Sequence, residues 1–211
     1  MGFFDLFRQK NKITISNANW QIGDIISFGK YPNINSEKFE DLRWKVLDKK
    51  GDKLLLITQD CIDGKLFDDT GMSAKWSNCS LRKWLNNDFL HTAFDTKEIA
   101  EIVLTSIDSE QRFFDKTIPQ IDSTQDKVFI LSKDEAFKYF TSDLSRQSKV
   151  TNYAINRGAD HDVIEHRGRW WLRSSCEGYV DCVLFLGGIS EFGYPANDED
   201  GSIRPAVWIT I

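Results

Sequence analysis

The sequence predicts an α+β fold: a single domain with a twisted antiparallel sheet, two or three helices and long loops. Three observations predict it. An alternating stretch at 43–48 is followed by a turn and a continuous apolar run at 54–57, the pattern of a β-hairpin. From Ser80 the apolar spacing lengthens to that of a helix. The last third returns to alternation, punctuated by Gly187-Gly188. The chain has 211 residues, about one domain's worth and enough to bury a core without disulfide staples.

Residues 23–30 read as a short strand that ends at a Tyr31-Pro32 turn. In 43–48, Trp44 and Val46 fall on one face, with Arg43, Lys45 and Leu47 on the other, the period a strand imposes. Lys50-Gly51-Asp52 is turn chemistry. Leu54-Leu-Leu-Ile57 is apolar throughout, as a strand buried on both faces requires. Leu81, Trp84, Leu85 and Phe89 then define the stripe of an amphipathic helix. Asp95 with Glu98, and Ser132 with Glu135, each set a capping side chain three positions before a carboxylate, so each predicts a helix start. Between them, Val128 to Leu131 read as a short buried strand, and the polar stretch 109–126 as a loop.

In the last third, Gly168 to Arg173 form one strand, with Trp170 and Leu172 opposite Trp171 and Arg173. Tyr179 to Leu186 form another, with Val180, Cys182, Leu184 and Leu186 on one face. Gly187-Gly188 turn the chain into a strand from Ile189 to Tyr194. After the acidic loop Asn197 to Gly201 comes the last strand, Ile203 to Ile211. Pro205 has no N–H for a ladder, which puts that strand at an edge or on a bulge.

Composition narrows function. Lys and Arg number 27 against 32 Asp and Glu, a net charge of −5. That opposes a nucleic-acid-coating surface, which needs a basic field. No run approaches the ~20 apolar residues of a membrane span. The four cysteines, Cys61, Cys79, Cys176 and Cys182, contain no Cys-x-x-Cys pair and read as free thiols in a reducing cytoplasm. Residues 1–12 set Phe3, Phe4 and Phe7 against Arg8, Lys10 and Lys12. They form a flexible or amphipathic segment with weak membrane or partner contact as its functional reading.

A wider pattern emerges from Trp170-Trp-Leu-Arg-Ser174 and Ile203-Arg-Pro-Ala-Val-Trp-Ile209. To these belong Phe28-Gly29-Lys-Tyr31, Trp44-Lys-Val-Leu47, Trp76, Ser80-Leu-Arg-Lys-Trp-Leu-Asn86, Asp126 to Ser132 and Thr151-Asn-Tyr-Ala154. Together they resemble DUF6273, a bacterial domain family of unknown function, from about residue 20 to the C-terminus. The resemblance implies one family domain over 13–211. The terminal part is more loosely similar to C-type-lectin-like folds, which implies a tryptophan-rich strand paired with a closing strand. Ser175-Cys176 stand where the family often has Pro-Gly. The Glu-Pro-Asn and Trp-Asn-Asp motifs of calcium- and sugar-binding lectins are absent, so that activity is not implied.

Individual residues carry weaker signals. His161 and His166 lie five apart; on a helix they diverge by about 140° and on a strand they have opposite parity. Neither geometry makes a two-histidine metal site, and no metal or cofactor is expected. Asn197-Asp-Glu-Asp-Gly201 lacks the distant Glu of a calcium loop and reads as a solvated turn. Arg173 and Arg204 sit in apolar strands, where a guanidinium must be paired or reach water. Their alternatives are bracing the sheet, through Asp181, another carboxylate or backbone carbonyls, and recognising an anion in a cleft. Trp170, Trp171 and Trp208 read as core. Ser174, Ser175 and Cys176 have no nucleophile motif around them.

The expectation is therefore a non-catalytic binding or interaction module, with an unknown protein or small molecule as ligand and no nucleic acid. Its surface is the loop from Ser190 to Gly201, with Glu191, Phe192, Tyr194, Asn197 and Asp198, beside Arg173. The alternative is an enzyme with a cleft around Arg173, Cys176 and His161.

Overall fold

The computed structural model describes residues 19–34, 38–190 and 192–211. The segment 1–12 and Glu191 lie outside the described residues. The protein is α+β, as expected, with its strands divided between two sheets. The first is antiparallel throughout: β1 (Ile25–Pro32), β2 (Phe39–Lys50), β3 (Lys53–Thr58), β11 (Ala206–Thr210) and β7 (Val128–Phe129), in that spatial order. The second contains β4 (Asp63–Gly64), β10 (Ser202–Ile203), β8 (Trp170–Cys176), β5 (Thr105–Arg112) and β6 (Gln120–Asp126), with β9 (Tyr179–Val183) also on β8. It is mixed, because β8 runs parallel to both β10 and β5.

The expected hairpin is β2–β3, with Gly51 at φ +61° in its turn, a conformation glycine adopts freely. A bulge between Val46 and Asp48 interrupts the period of two. It turns Leu47 inward, to 5% exposure, instead of onto the outer face. Leu54 to Ile57 are almost wholly buried, because β3 lies between β2 and β11 in the middle of its sheet.

The helix from Ser80 forms as α1, in three pieces: Ser80–Trp84, a π segment Leu85–Phe89, and Leu90–Ala93. The π segment carries Asn86. Its side chain accepts from the Lys127 and Val128 N–H groups at 2.9 and 3.1 Å and donates to the Val128 carbonyl at 2.8 Å. Both capping boxes close as expected, starting α2 (Thr96–Glu101) and α3 (Lys133–Tyr139). Two shorter helices follow, α4 (Asp143–Arg146) and α5 (Asn152–Asn156).

Three expectations are corrected. Residues 109–126 are not a loop; most of them form the hairpin β5–β6, registered from Thr105↔Asp126 to Gln111↔Gln120. Its inward face carries Ile107, Ser109 and Gln111, so the alternation is small-polar against polar and escapes an apolar-period reading. The strand from Ile189 to Tyr194 is reduced to bridges at Val183↔Ile189 and Val180↔Tyr194. The turn before it does form: Leu184 N–H donates to the Gly188 carbonyl at 2.8 Å. A Cβ at Gly187 would lie 1.7 Å from the Asp143 carbonyl oxygen. Finally, Pro205 does not mark an edge. It sits where the chain leaves β10 in the second sheet for β11 inside the first. The closing strand therefore meets β8 only at Ser202↔Trp170, in parallel.

One hydrophobic core joins the two sheets. Trp44, Trp76, Trp170 and Trp171 are fully buried in it, and each indole N–H has an acceptor, as a buried indole requires. The acceptors are the Phe28 carbonyl at 2.7 Å, the Asp126 carboxylate at 2.9 Å, the Arg146 carbonyl at 3.2 Å and the Lys65 carbonyl at 2.8 Å.

All four cysteines are buried and free. Burial pushes the Cys79 and Cys182 thiols up to about 12 and raises Cys61 as well. At about pH 8 Cys61, Cys79 and Cys182 stay protonated and shielded, so a disulfide-exchange reagent finds no thiolate there, whereas Cys176 lines a cleft. The native protein is expected to release at most one equivalent of chromophore from such a reagent, and the denatured protein four. Rapid release of two or more equivalents from the native protein would contradict the packing described.

Candidate functional site

A cleft of about 730 Å³ opens between β4, α1, the end of α5 and the turn at Glu199. Its lining includes Lys65, Trp84, Asp88, Arg157 and Glu199. Local sequence explains how these parts meet. A Cβ on Gly64 would lie 2.5 Å from the Arg157 carbonyl oxygen, so only glycine lets the α5 terminus press against β4. Helix α5 starts with Thr151, whose hydroxyl accepts the Ala154 N–H at 3.2 Å. It ends before Gly158, at φ +94°.

Behind the cleft wall lies Asp63, 1% exposed. Its carboxylate accepts the Tyr31 hydroxyl at 2.7 Å and the Arg157 Nε–H at 2.6 Å. Burial pushes the Asp63 carboxyl up; Tyr31, Lys65 and Arg157 pull it back without cancelling that rise. Burial beside Asp63 drives Tyr31 far above its ordinary value, so its hydroxyl remains a donor. Asp63 raises Arg157 in turn. The Arg157 Nε is thus fixed, while its two terminal nitrogens have no acceptor among the described residues. In the same cleft the Lys65 ammonium lies 4.5 Å above the Trp84 ring, and burial, with Arg157 nearby, lowers the Lys65 pKa.

The described residues of the expected site have the following places. Tyr194 and Asp198 converge on Arg169: the guanidinium lies 4.0 Å over the Tyr194 ring and pairs with Asp198. Asn197 packs against Gly71. Phe192 is 72% exposed. Arg173 is 4% exposed, with Nε on the Asp108 carbonyl at 2.8 Å and Nη1 on the Ile130 carbonyl at 2.6 Å and on Glu135. It braces the interior, though not through Asp181, which pairs with Arg112. Arg204 is a brace too, donating to the Thr58 and Gln59 carbonyls.

Of the residues of the alternative cleft, Arg173 and Cys176 line separate clefts, and His161 lies on the loop before β8. That loop corrects the histidine geometry. With His166 at φ +55°, the two imidazoles stack at 5.3 Å and 16°, which neither helix nor strand spacing allows. Asp162 ties the loop by accepting the Glu165 and Arg167 N–H groups at 2.8 and 3.0 Å. Arg167 holds its carboxyl well below the usual carboxylate range.

Sequence reasoning missed Tyr31, Asp63, Lys65 and Arg157. Tyr31 and Arg157 stand 32 and 94 positions from Asp63, so no local spacing reports the cluster. The available signal was an aspartate and a glycine following Cys61-Ile62.

Two outcomes follow. Tyr31→Phe leaves the buried Asp63 carboxylate one donor short and should cost about 1–3 kcal/mol of stability in denaturant unfolding; no loss would deny the clamp. A depressed carboxyl stabilises the folded loop above its ordinary value and stops doing so as pH falls through its folded value. Amide protection at Glu165 and Arg167 should therefore hold at about pH 4 and fall below about pH 3, with Asp162→Asn losing it at both.

A family model described as Domain of unknown function (DUF6273) matches residues 51–211. No curated protein and no solved structure matches the chain. The matched region starts at the β2–β3 turn and takes in Asp63, Arg157 and the whole cleft lining, whereas Tyr31 comes from β1, outside it. With most of its length covered by that match, the chain belongs to the DUF6273 family.

Proposed function

We propose that the protein is a non-catalytic binding module of the cytoplasm, and that its ligand is a small zwitterion such as an amino acid or short peptide held in the Arg157 cleft. One observation carries this reading: a cleft-lining guanidinium fixed at Nε by a buried carboxylate and lying 5.7 Å over the Tyr153 ring, whose terminal nitrogens have no acceptor among the described residues. Such a fork matches a carboxylate in geometry as well as charge. Asp69, Asp88 and Glu199 line the same space and suit a ligand ammonium group. The Lys65–Trp84 stack gives the ligand body a wall. A volume of about 730 Å³ lies within the usual range for small-ligand pockets. Asp63 is sealed from solvent and spent on positioning Arg157, which favours recognition over proton transfer. Buried free thiols support a reducing compartment. A C-type-lectin-like origin of the scaffold belongs to the same proposal, supported by the tryptophan-bearing β8 at its centre.

The test is calorimetric titration and thermal melting with free amino acids and a defined dipeptide panel, each beside its N-acetylated and amidated forms. At least one zwitterion should bind and raise Tm, with both capped forms weaker. Arg157→Lys keeps the charge but loses the fork, and should weaken binding about tenfold or more, about 1.4 kcal/mol. No binding across the panel, or equal binding by capped ligands, would overturn the reading.

A further inference from the structure

A second cleft, of about 530 Å³, lies where the β2–β3 hairpin, β11 and α3 approach one another. Four cations line it: Lys50 and Lys53 from the hairpin, Lys138 from α3 and Arg173 from β8. The chain as a whole carries −5, so this concentration runs against its composition. Two carboxylates share the lining, and both are already engaged. Glu135 accepts from Arg173 and from the Ser132 N–H, and Asp108 accepts the Ser123 hydroxyl at 2.6 Å.

Three of the four cations have holding contacts. Arg173 is 4% exposed, with Nε and Nη1 fixed by the interactions described above. Its Nη2 has no acceptor among the described residues, which leaves a buried guanidinium with a donor to spare at the cleft floor. The Lys50 ammonium sits 5.2 Å above the Trp208 ring. Lys138 is steadied by the Tyr139 hydroxyl at 3.3 Å and Asp48 at 3.9 Å. Lys50 and Lys53 stand directly opposite each other across the hairpin. Like charges in that relation repel and weaken a hairpin, and an anion between them removes the repulsion.

We infer that this cleft binds a phosphorylated compound, its phosphate oxygens taking the Lys50, Lys53 and Lys138 ammonium groups and the spare Arg173 nitrogen. Phosphate fits because it offers several acceptors and more than one negative charge to the several cations of one cleft. The volume exceeds what one phosphate fills, so an organic portion fits beside Trp208. The site is independent of the Arg157 cleft and stands or falls separately from it.

The phosphate can be free in solution or part of a lipid headgroup, and the experiment has an arm for each. Inorganic pyrophosphate is titrated calorimetrically into the full chain, and the chain is sedimented with phosphatidylglycerol vesicles. The same is done for Lys53→Ala/Lys138→Ala and for a control, Lys75→Ala, at an exposed lysine outside the cleft. Binding in either arm, weakened tenfold or more by the double variant and unchanged in the control, supports the site and identifies the phosphate source. These variants alter exposed lysine ends, and a melt confirms that they fold. Absence of binding in both arms overturns the inference. So does equal weakening by the double variant and the control, which would report only diffuse charge attraction.

Discussion

Strand β8 is buried on both faces, and the rest of the architecture answers that constraint. Both Trp170 and Trp171 are inside, so no solvent reaches the strand to satisfy its polar groups. One edge is covered by β9. The other is covered in turn by β10 at Trp170, by Leu131 at Arg173 and by β5 at Ser175 and Cys176. Three separate chain segments therefore converge on one strand. The arginines around it meet the same demand: Arg146, Arg173 and Arg204 donate to main-chain carbonyls of Gly187, Phe140, Asp108, Ile130, Thr58 and Gln59. A buried charge without such acceptors would be severely destabilising. These carbonyls belong mainly to irregular segments, whose oxygens a complete ladder would have consumed.

What could be read from the sequence follows from how local each cause is. The β2–β3 hairpin and both capping boxes depend on residues within a few positions of one another, and all three were legible. The β5–β6 hairpin was not, because Ser109 and Gln111 occupy its inward face where apolar residues would have announced it. The bulge at Leu47 likewise follows from pairing with β3 rather than from the β2 sequence.

Candidate-site legibility divides the same way. Arg173 is conspicuous as an arginine among apolar residues, and of its two alternatives the bracing one is what its hydrogen bonds show; it also lines a cleft. Tyr194 and Asp198 share a partner, Arg169, that the sequence reading did not single out. The Tyr31–Asp63–Arg157 clamp was invisible because three distant segments supply it. Its glycine, Gly64, acts through what it leaves out, and only a neighbouring backbone gives that absence a meaning.

The π segment of α1 has a consequence for how the protein meets others of its kind. Strand β7 ends the first sheet, and an open terminal strand is a template for edge-to-edge association. The widened turn in α1 presents Asn86, whose amide engages the N–H of Lys127 and both polar groups of Val128. A single side chain thus stands in for a sixth strand and blocks accretion of another molecule's backbone at that border.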